Sequence, residues 1–325
     1  MRKEKILITG ANGQIGAVLT ETLRQMHGQF HVLATDIRKP KADIEPFELL
    51  DVLDKEQLFQ TIQTHKITTI YHLAAILSAK GELNPQRAWT INMSGLFNIL
   101  EAAKHFQLKV FFPSSIAVFG AHVSKDQTPQ FSPLIPTTVY GISKVAGEHW
   151  CQYYHLKHQV DVRSVRYPGI IGYQSMPGGG TTDYAVEIYH KAVNKEPFQC
   201  FLQADTRLPM MYMDDAIRAT VEIMHAPAKQ LLVRTSYNIS GTDFTPAEQV
   251  ASIRQFIPNF EVTYKPDFRQ HIADSWPSST DDTNARTDWN WRPEYSLQRI
   301  TQEMIERLST NRTQRHLSKI SPVHQ

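Results

Sequence analysis

Tyr140 and Lys144 stand at i and i+4 in the run Tyr-Gly-Ile-Ser-Lys, so on a helix they share a face. A free phenol, with a pKa of about 10, is a poor base at neutral pH. An ammonium beside it stabilises the phenolate. Bringing a phenol to neutrality takes about 4 kcal/mol of such differential stabilisation. Upstream, Ser114 and Ser115 follow an apolar run, Lys109–Phe112. A hydroxyl there can hold a substrate oxygen against the phenol. Ser115 is the candidate and Ser114 the fallback. Phenol, ammonium and hydroxyl together suit removal of an alcohol proton while a hydride departs. The blander alternatives are an exposed helical Tyr–Lys pair and two serines that cap a turn.

A hydride needs an acceptor, and the N-terminal segment suggests one. Gly10-Ala11-Asn12-Gly13-Gln14-Ile15-Gly16 lies between an apolar run, Lys5–Thr9, and a segment with helical periodicity. Glycines at this turn let the backbone approach a pyrophosphate seated on a helix N-terminus. Asp36 falls at the end of the next apolar run, where a carboxylate accepts hydrogen bonds from an adenosine ribose and repels a 2′-phosphate. That favours NAD over NADP, although Arg38 and Lys39 follow and could accommodate a phosphate. Asp51, with Val52, could reach the adenine amino group or cap a helix.

Positioning these groups requires regular elements. Strand-like runs at Lys5–Thr9, Phe30–Thr35, Phe47–Leu50, Thr68–Leu73, Lys109–Phe112 and Asp161–Tyr167 alternate with helical stretches at Gly13–Met26, Asp54–His65, Asn84–His105 and Thr137–His158. Thr137 is the expected N-cap of the last. The alternation specifies an α/β doubly wound parallel sheet, a Rossmann fold. After Tyr167 the pattern changes. Residues 168–180 read as a loop, followed by helices over Thr181–Asn194, within Met211–Ala226, over Pro246–Phe256 and over Ser296–Leu308. Ser236–Ser240 and Glu261–Tyr264 are extended, and Gln270–Thr280 is irregular. The expected organisation is a dinucleotide-binding domain over 1–168, with 212–240 returning to it. A smaller C-terminal substrate lobe covers 169–211 and 241–309, and 310–325 form a polar tail.

Composition narrows the function. The chain has 325 residues, a net charge of +2 and scattered Lys and Arg, which disfavours a nucleic-acid partner. No run of about 18 apolar residues would cross a membrane. With no secretory or transit pattern at Met1–Lys5, the cytoplasm is the expected location. Cys151 and Cys200 form no disulfide framework or zinc motif, and the 14 histidines show no HxxxH or HExxH spacing, so no metal is expected.

Gly10–Gly16, Asp36, His72-Leu73-Ala74-Ala75, Asn92, Ser115, Tyr140 and Lys144 occur in the order of the extended short-chain dehydrogenase/reductase family, which this chain resembles. The resemblance implies NAD as cofactor. It places Gly10, Asn12, Gly13, Gln14, Ile15, Gly16, Asp36, Leu73, Ala74, Ala75, Asn92, Tyr140 and Lys144 around it, beside Asp51 and Val52, which position alone suggests. Within the family, four later stretches resemble the short-chain-type L-threonine 3-dehydrogenases. They are Arg166–Gly172, Pro177–Tyr184, Pro209–Asp215 and Ala273–Pro277. This implies NAD-dependent oxidation of the Cβ hydroxyl of L-threonine to 2-amino-3-ketobutyrate. Phe119 stands where many relatives carry Tyr, two residues from the proposed chemistry.

The second lobe can be read for an amino-acid substrate. Glycines around Gly178 precede Thr181 and Thr182, which could cap a helix whose N-terminus binds a carboxylate, or simply form a hinge. Ser78 could bind polar groups of the substrate. Trp276 could contact the substrate or anchor a loop, and the resemblance favours contact. Asp183 or Asp274 could meet an ammonium. Met210, Met211 and Met213 are more often plain packing. Two rival readings remain. A nucleotide-sugar 4-epimerase with bound NAD would need arginines for a diphosphate, and Arg207 and Arg286 are available. A non-catalytic NAD-sensing protein would be expected to lack Tyr140 or Lys144. The helices Asn84–His105 and Thr137–His158 resemble those that pair subunits in the family, so a homodimer is expected.

Overall fold

A computed structural model describes residues 4–40, 44–176, 178 and 180–320, with side chains to 310. Pro177, Gly179 and the terminal 321–325 lie outside the described residues. The chain begins with β1 (Ile6–Thr9), whose four side chains are all buried, and turns at Gly10 into α1 (Gln14–His27). Next come β2 (Val32–Asp36), β3 (Phe47–Leu49), α2 (Lys55–His65) and β4 (Thr69–His72). Asp54 caps α2 by accepting from Gln57 N. Two short helices, α3 (Ser78–Leu83) and α4 (Pro85–Trp89), lead through a π-helical turn at Thr90–Ser94 into α5 (Gly95–Phe106). Then come β5 (Lys109–Ser115), α6 (Val139–His158) and β6 (Asp161–Tyr167).

These strands, joined by a later one, make a seven-stranded parallel sheet. Its α/β doubly wound architecture follows from the alternation of apolar runs and amphipathic helices. β1 is central, flanked by β2 and β4. The sheet therefore changes winding direction at the C-terminal end of β1, where a crevice forms for a ligand.

The rest of the chain contains β7 (Gly169–Ile171), α7 (Tyr184–Asn194), β8 (Phe198–Cys200), β9 (Leu208–Tyr212) and α8 (Met213–His225). After these come β10 (Tyr237–Asn238), β11 (Thr242–Phe244), α9 (Pro246–Arg254), β12 (Val262–Tyr264), α10 (Arg269–Asp274), α11 (Thr283–Trp289) and α12 (Leu297–Ile320). β10 joins the main sheet beside β6, and α8 shares a core with α1. The strands β7, β9 and β11 form a separate small sheet, and β8 pairs with β12. A further core joins α7, α9 and α12 to the segment after β5 and to Trp276. Among the described residues, no helix is long and apolar enough to cross a membrane.

Several boundaries depart from the sequence reading. Thr138, not Thr137, caps α6: its backbone is extended and its hydroxyl accepts from Gly141 N at 3.1 Å. The expected helix Asn84–His105 is continuous from Pro85 to Phe106 but widens into a π turn at Thr90–Ser94, which carries Asn92 inward. The loop after Pro168 hides β7, which is three residues long and has no periodicity of its own. The stretch Gln270–Thr280 contains most of α10. The last helix continues past Leu308 to Ile320, through a segment without Gly or Pro to stop it.

Candidate active site

The glycine turn is built for close approach. Gly10 has φ +72, a left-handed conformation, and a Cβ there would lie 2.7 Å from Ala74 N. A Cβ on Gly16 would lie 2.3 Å from Gly10 O. The turn therefore packs against the end of β4 and against itself, and its surface towards the cleft is bare backbone. Asp36 ends β2 and accepts from Asn12 N at 3.1 Å and Arg38 N at 3.2 Å. Asn12 also donates its side-chain amide to Arg38 O at 2.7 Å. Asp36, Asp51, Val52, Leu73, Ala74 and Ala75 line one cavity, which meets a second at Gly10, Gly13, Leu73 and Ala75. This continuous trough beyond the strand ends fits an extended dinucleotide. Its glycine cradle, which side chains would fill, faces the pyrophosphate position.

The second cavity, of about 230 Å³, contains the reactive groups. Gly13, Gln14, Ile15 and Gly16 wall one side; Ser115, Tyr140 and Lys144 wall another. Tyr140 enters from the first turn of α6 and Ser115 from the end of β5. The Ser115 hydroxyl lies beside the phenol and favours its ionised form. Ser114 points the other way and donates to Glu148 Oε1 at 2.6 Å. Both serines line the cavity, but strand alternation, which puts neighbours on opposite faces, turns the two hydroxyls to different partners. Ser115 also accepts from Ala117 N at 3.2 Å, which fixes its rotamer.

Lys144 does not act as its spacing suggests. It shares the helix face with Tyr140, but its ammonium donates to Pro113 O at 2.6 Å and sits 5.5 Å over the centre of the phenol ring. Burial pushes the Tyr140 phenol up to about 12, opposed only by the Ser115 hydroxyl. Burial likewise lowers Lys144 to about 8, although the carboxylate of Glu148 and the Cys151 thiol favour its charge. In the cofactor-free chain burial outweighs what lowers the phenol, and the Lys144 ammonium lies over the ring rather than at its hydroxyl. Two desolvated groups meet across a ring face, where neither relieves the other.

Asn92 is also not placed as expected. It lines neither cavity. Its Oδ1 accepts from Ile76 N at 2.8 Å, and its Nδ2 donates to Ile76 O at 3.1 Å and to Ser143 Oγ at 3.2 Å. Its polar groups clamp the chain after β4, where the trough begins. His72, in the same motif, is buried against the Thr9 hydroxyl at 3.0 Å, and burial drops it to about 3, keeping it neutral.

On the far side, Ser78, Thr181, Thr182, Asp183 and Trp276 line the cavity. Ser78 Oγ lies 3.5 Å from Thr181 Oγ1, bridging the two halves of the molecule. Neither threonine caps α7, which starts at Tyr184 with Asp183 at the cap position. Asp183 accepts from Gly180 N at 2.7 Å, pinning the glycine segment. Gly178 is exposed and lies outside this lining, with Leu77 3.7 Å from where its side chain would begin. Asp274 turns away and accepts from Gln270 Nε2 at 2.7 Å. Leu77, Ile116, Gly169, Ile170 and Gly180 also line the cavity and escaped the sequence reading. Gly169 had a usable signal, following Tyr167-Pro168 at a strand end. A Cβ on it would strike Thr182 at 2.8 Å, so this glycine lets the Thr182 segment close in. Arg207 is paired with Asp243 and Glu248, and Arg286 with Asp282; neither lines the cavity.

Residues 6–240 match the model of the NAD dependent epimerase/dehydratase family. An uncharacterized epimerase/dehydratase of Staphylococcus haemolyticus is 47% identical over 93% of this chain and 97% of its own. Among solved structures, the holo form of a GalE-like L-threonine dehydrogenase from Cupriavidus necator superposes with a TM-score of 0.92. It is 52% identical, over 94% of this chain and 99% of that one. A monomeric L-threonine 3-dehydrogenase from a metagenome, in its apo form, has a TM-score of 0.92 and 47% identity, over 94% and 99% of the two chains.

Proposed function

The chain belongs to the NAD dependent epimerase/dehydratase family, an NAD-dependent enzyme of extended short-chain dehydrogenase type, and from that premise we propose that it oxidises the Cβ hydroxyl of L-threonine to 2-amino-3-ketobutyrate. One observation carries the choice of substrate: the reactive cavity is small, and among the described residues Lys144 and Asp183 are the charged ones that line it. A nucleotide-sugar diphosphate would call for arginines there. The likeness to threonine dehydrogenases supports the same reading.

Bound NAD supplies the hydride acceptor and a positive ring charge. The chain's residues do the rest. Gly10, Gly13 and Gly16 present backbone to the pyrophosphate, and Asp36 accepts from the ribose. Ser115 orients the substrate oxygen and Tyr140 Oη takes its proton. The phenol, held high by burial, needs a positive charge brought to the cleft before it ionises. Lys144 supplies a cation at the ribose. Ser78, Thr181 and Thr182 offer donors to the substrate carboxylate, Asp183 faces its ammonium, and Trp276 shuts out water. Most of the acceleration comes from positioning and charge stabilisation.

The exposed faces of α5 and α6 carry a cluster of Phe97, Trp150 and Tyr153 beside Leu156, which fits pairing with a second copy. The decisive experiment is absorbance at the NADH band with purified enzyme. NADH accumulation with L-threonine and none with a UDP-sugar supports the proposal. The reverse overturns it.

A further inference from the structure

Glu4, His27 and His225 are far apart in the chain and meet at the N-terminal end of the sheet's strands, opposite the dinucleotide trough. Glu4 precedes β1, His27 ends α1 and His225 ends α8. One ligand-capable atom from each lies within 4.8 Å of the others, and among the described residues this is the one such group of three. The linear spacing hides it, because no two of the three share an element.

Their remaining contacts are those of ligands held ready. His225 Nδ1 lies 2.8 Å from Val221 O, so that nitrogen carries the proton and Nε2 keeps its lone pair. Glu4 accepts from the Thr69 hydroxyl through Oε1, which leaves Oε2 turned to His27 Nδ1 at 3.9 Å, too long for a hydrogen bond. His27 Nε2 is shut off from water and has no hydrogen-bond partner. The rings of His27 and His225 are nearly parallel, with centroids 5.9 Å apart. The Glu4 carboxylate and His27 Nδ1 face each other just beyond hydrogen-bond reach, and an ion between them would satisfy both.

We propose that Glu4, His27 and His225 bind a divalent metal ion of the zinc class. Two neutral imidazoles and one carboxylate suit zinc or cobalt and not the all-oxygen shells of calcium or magnesium. Three protein ligands leave a fourth position for water. Drawing the ligand atoms onto one ion needs only side-chain rotation, since two of the three sit at helix ends and His225 is exposed. Lys109 is nearby, its ammonium held on Met224 O at 3.1 Å. The ion ties the start of β1 to the ends of two packed helices. It lies away from the reacting groups and takes no part in hydride transfer.

The test uses the full, tag-free chain after chelator treatment. Calorimetric titration with zinc chloride should show one saturable site, with cobalt giving visible bands of a low-symmetry nitrogen and oxygen shell. His225→Ala and Glu4→Gln should each weaken binding at least tenfold, and His122→Ala, at an exposed control position, should not. Zinc should raise the melting temperature of the parent and not of His225→Ala, with NAD affinity equal in both. A titration without saturation overturns the proposal, as does undiminished binding by both variants. Neither outcome bears on the substrate reading, because no step of the assay measures turnover.

Discussion

Burial acts on Tyr140 and Lys144 in opposite senses, raising the phenol to about 12 and lowering the ammonium to about 8. Both shifts disfavour the charged forms that catalysis needs, so the site is poised for a cofactor that brings positive charge and polar contacts. Tyr140→Phe should lower turnover by about 10²–10⁴-fold, the range for losing a positioned acid–base group. Fluorescence titration should show NAD affinity unchanged. Lys144 makes a prediction of its own. Between pH 10.5 and about 8 the unfolded chain holds the lysine proton and the folded chain does not. The folded state therefore loses stability as pH falls through that window, and the deficit is complete below it. Lys144→Met should raise the melting temperature of the cofactor-free protein at pH 7, by an equivalent of about 1–3 kcal/mol. The gain should vanish above pH 10.5, and turnover should be lost at every pH. Thermal scans at pH 7 and pH 11 check the sign.

At the scale of elements, the start of α6 sets the position of the phenol. Thr138 caps this helix two residues before Tyr140, and its hydroxyl satisfies Gly141 N. Gly141 itself has no room for a Cβ, which would lie 2.2 Å from Ala117 O. The first turn of α6 is therefore pressed against the segment that carries Ser115, which is how phenol and serine meet. Thr138→Ala should cost about 1 kcal/mol of stability by urea unfolding. Thr138→Ser should recover most of it. The π turn inside the helix before β5 works similarly. It brings Asn92 to the Ile76 backbone, fixing the strand end that borders the trough.

Across the whole molecule, one buried ion pair joins the layers behind the site. Arg166 of β6 makes two contacts to Glu148 of α6, at 2.9 and 2.7 Å. It also reaches Gln130 O and Asn238 Oδ1, each at 3.0 Å. Ser114 completes the network on Glu148. Both charged side chains are almost fully buried. Glu148→Leu strands the guanidinium without its counter-charge and should cost about 3–5 kcal/mol. The double variant Glu148→Leu with Arg166→Met should be distinctly more stable than the single one. Denaturant midpoints at constant slope would show this, and equal midpoints would mean the pair contributes nothing.

The amino-acid sequence by itself determined the layered architecture and the cofactor trough. Both depend on local signals: the alternation of apolar runs with amphipathic helices, glycines where the backbone must pack on itself, and a carboxylate at the end of the second strand. It also placed Tyr140, Lys144 and Ser115 on elements that converge, since a helix face and a strand end have fixed periods. Tertiary packing alone decided the rest. Which of Ser114 and Ser115 turns its hydroxyl to Tyr140 depended on which side of β5 met Glu148. The electrostatic relation of Tyr140 to Lys144 depended on burial and on the Pro113 carbonyl, neither of which a spacing of four residues encodes. Gly169 and Ile170 entered the cavity lining unforeseen because a three-residue strand carries no periodicity to read, while Asn92 was carried out of it by a π turn that helical spacing does not announce. The convergence of Glu4, His27 and His225 is wholly a product of folding: it depends on contacts between segments up to 221 positions apart, for which a linear pattern has no signal.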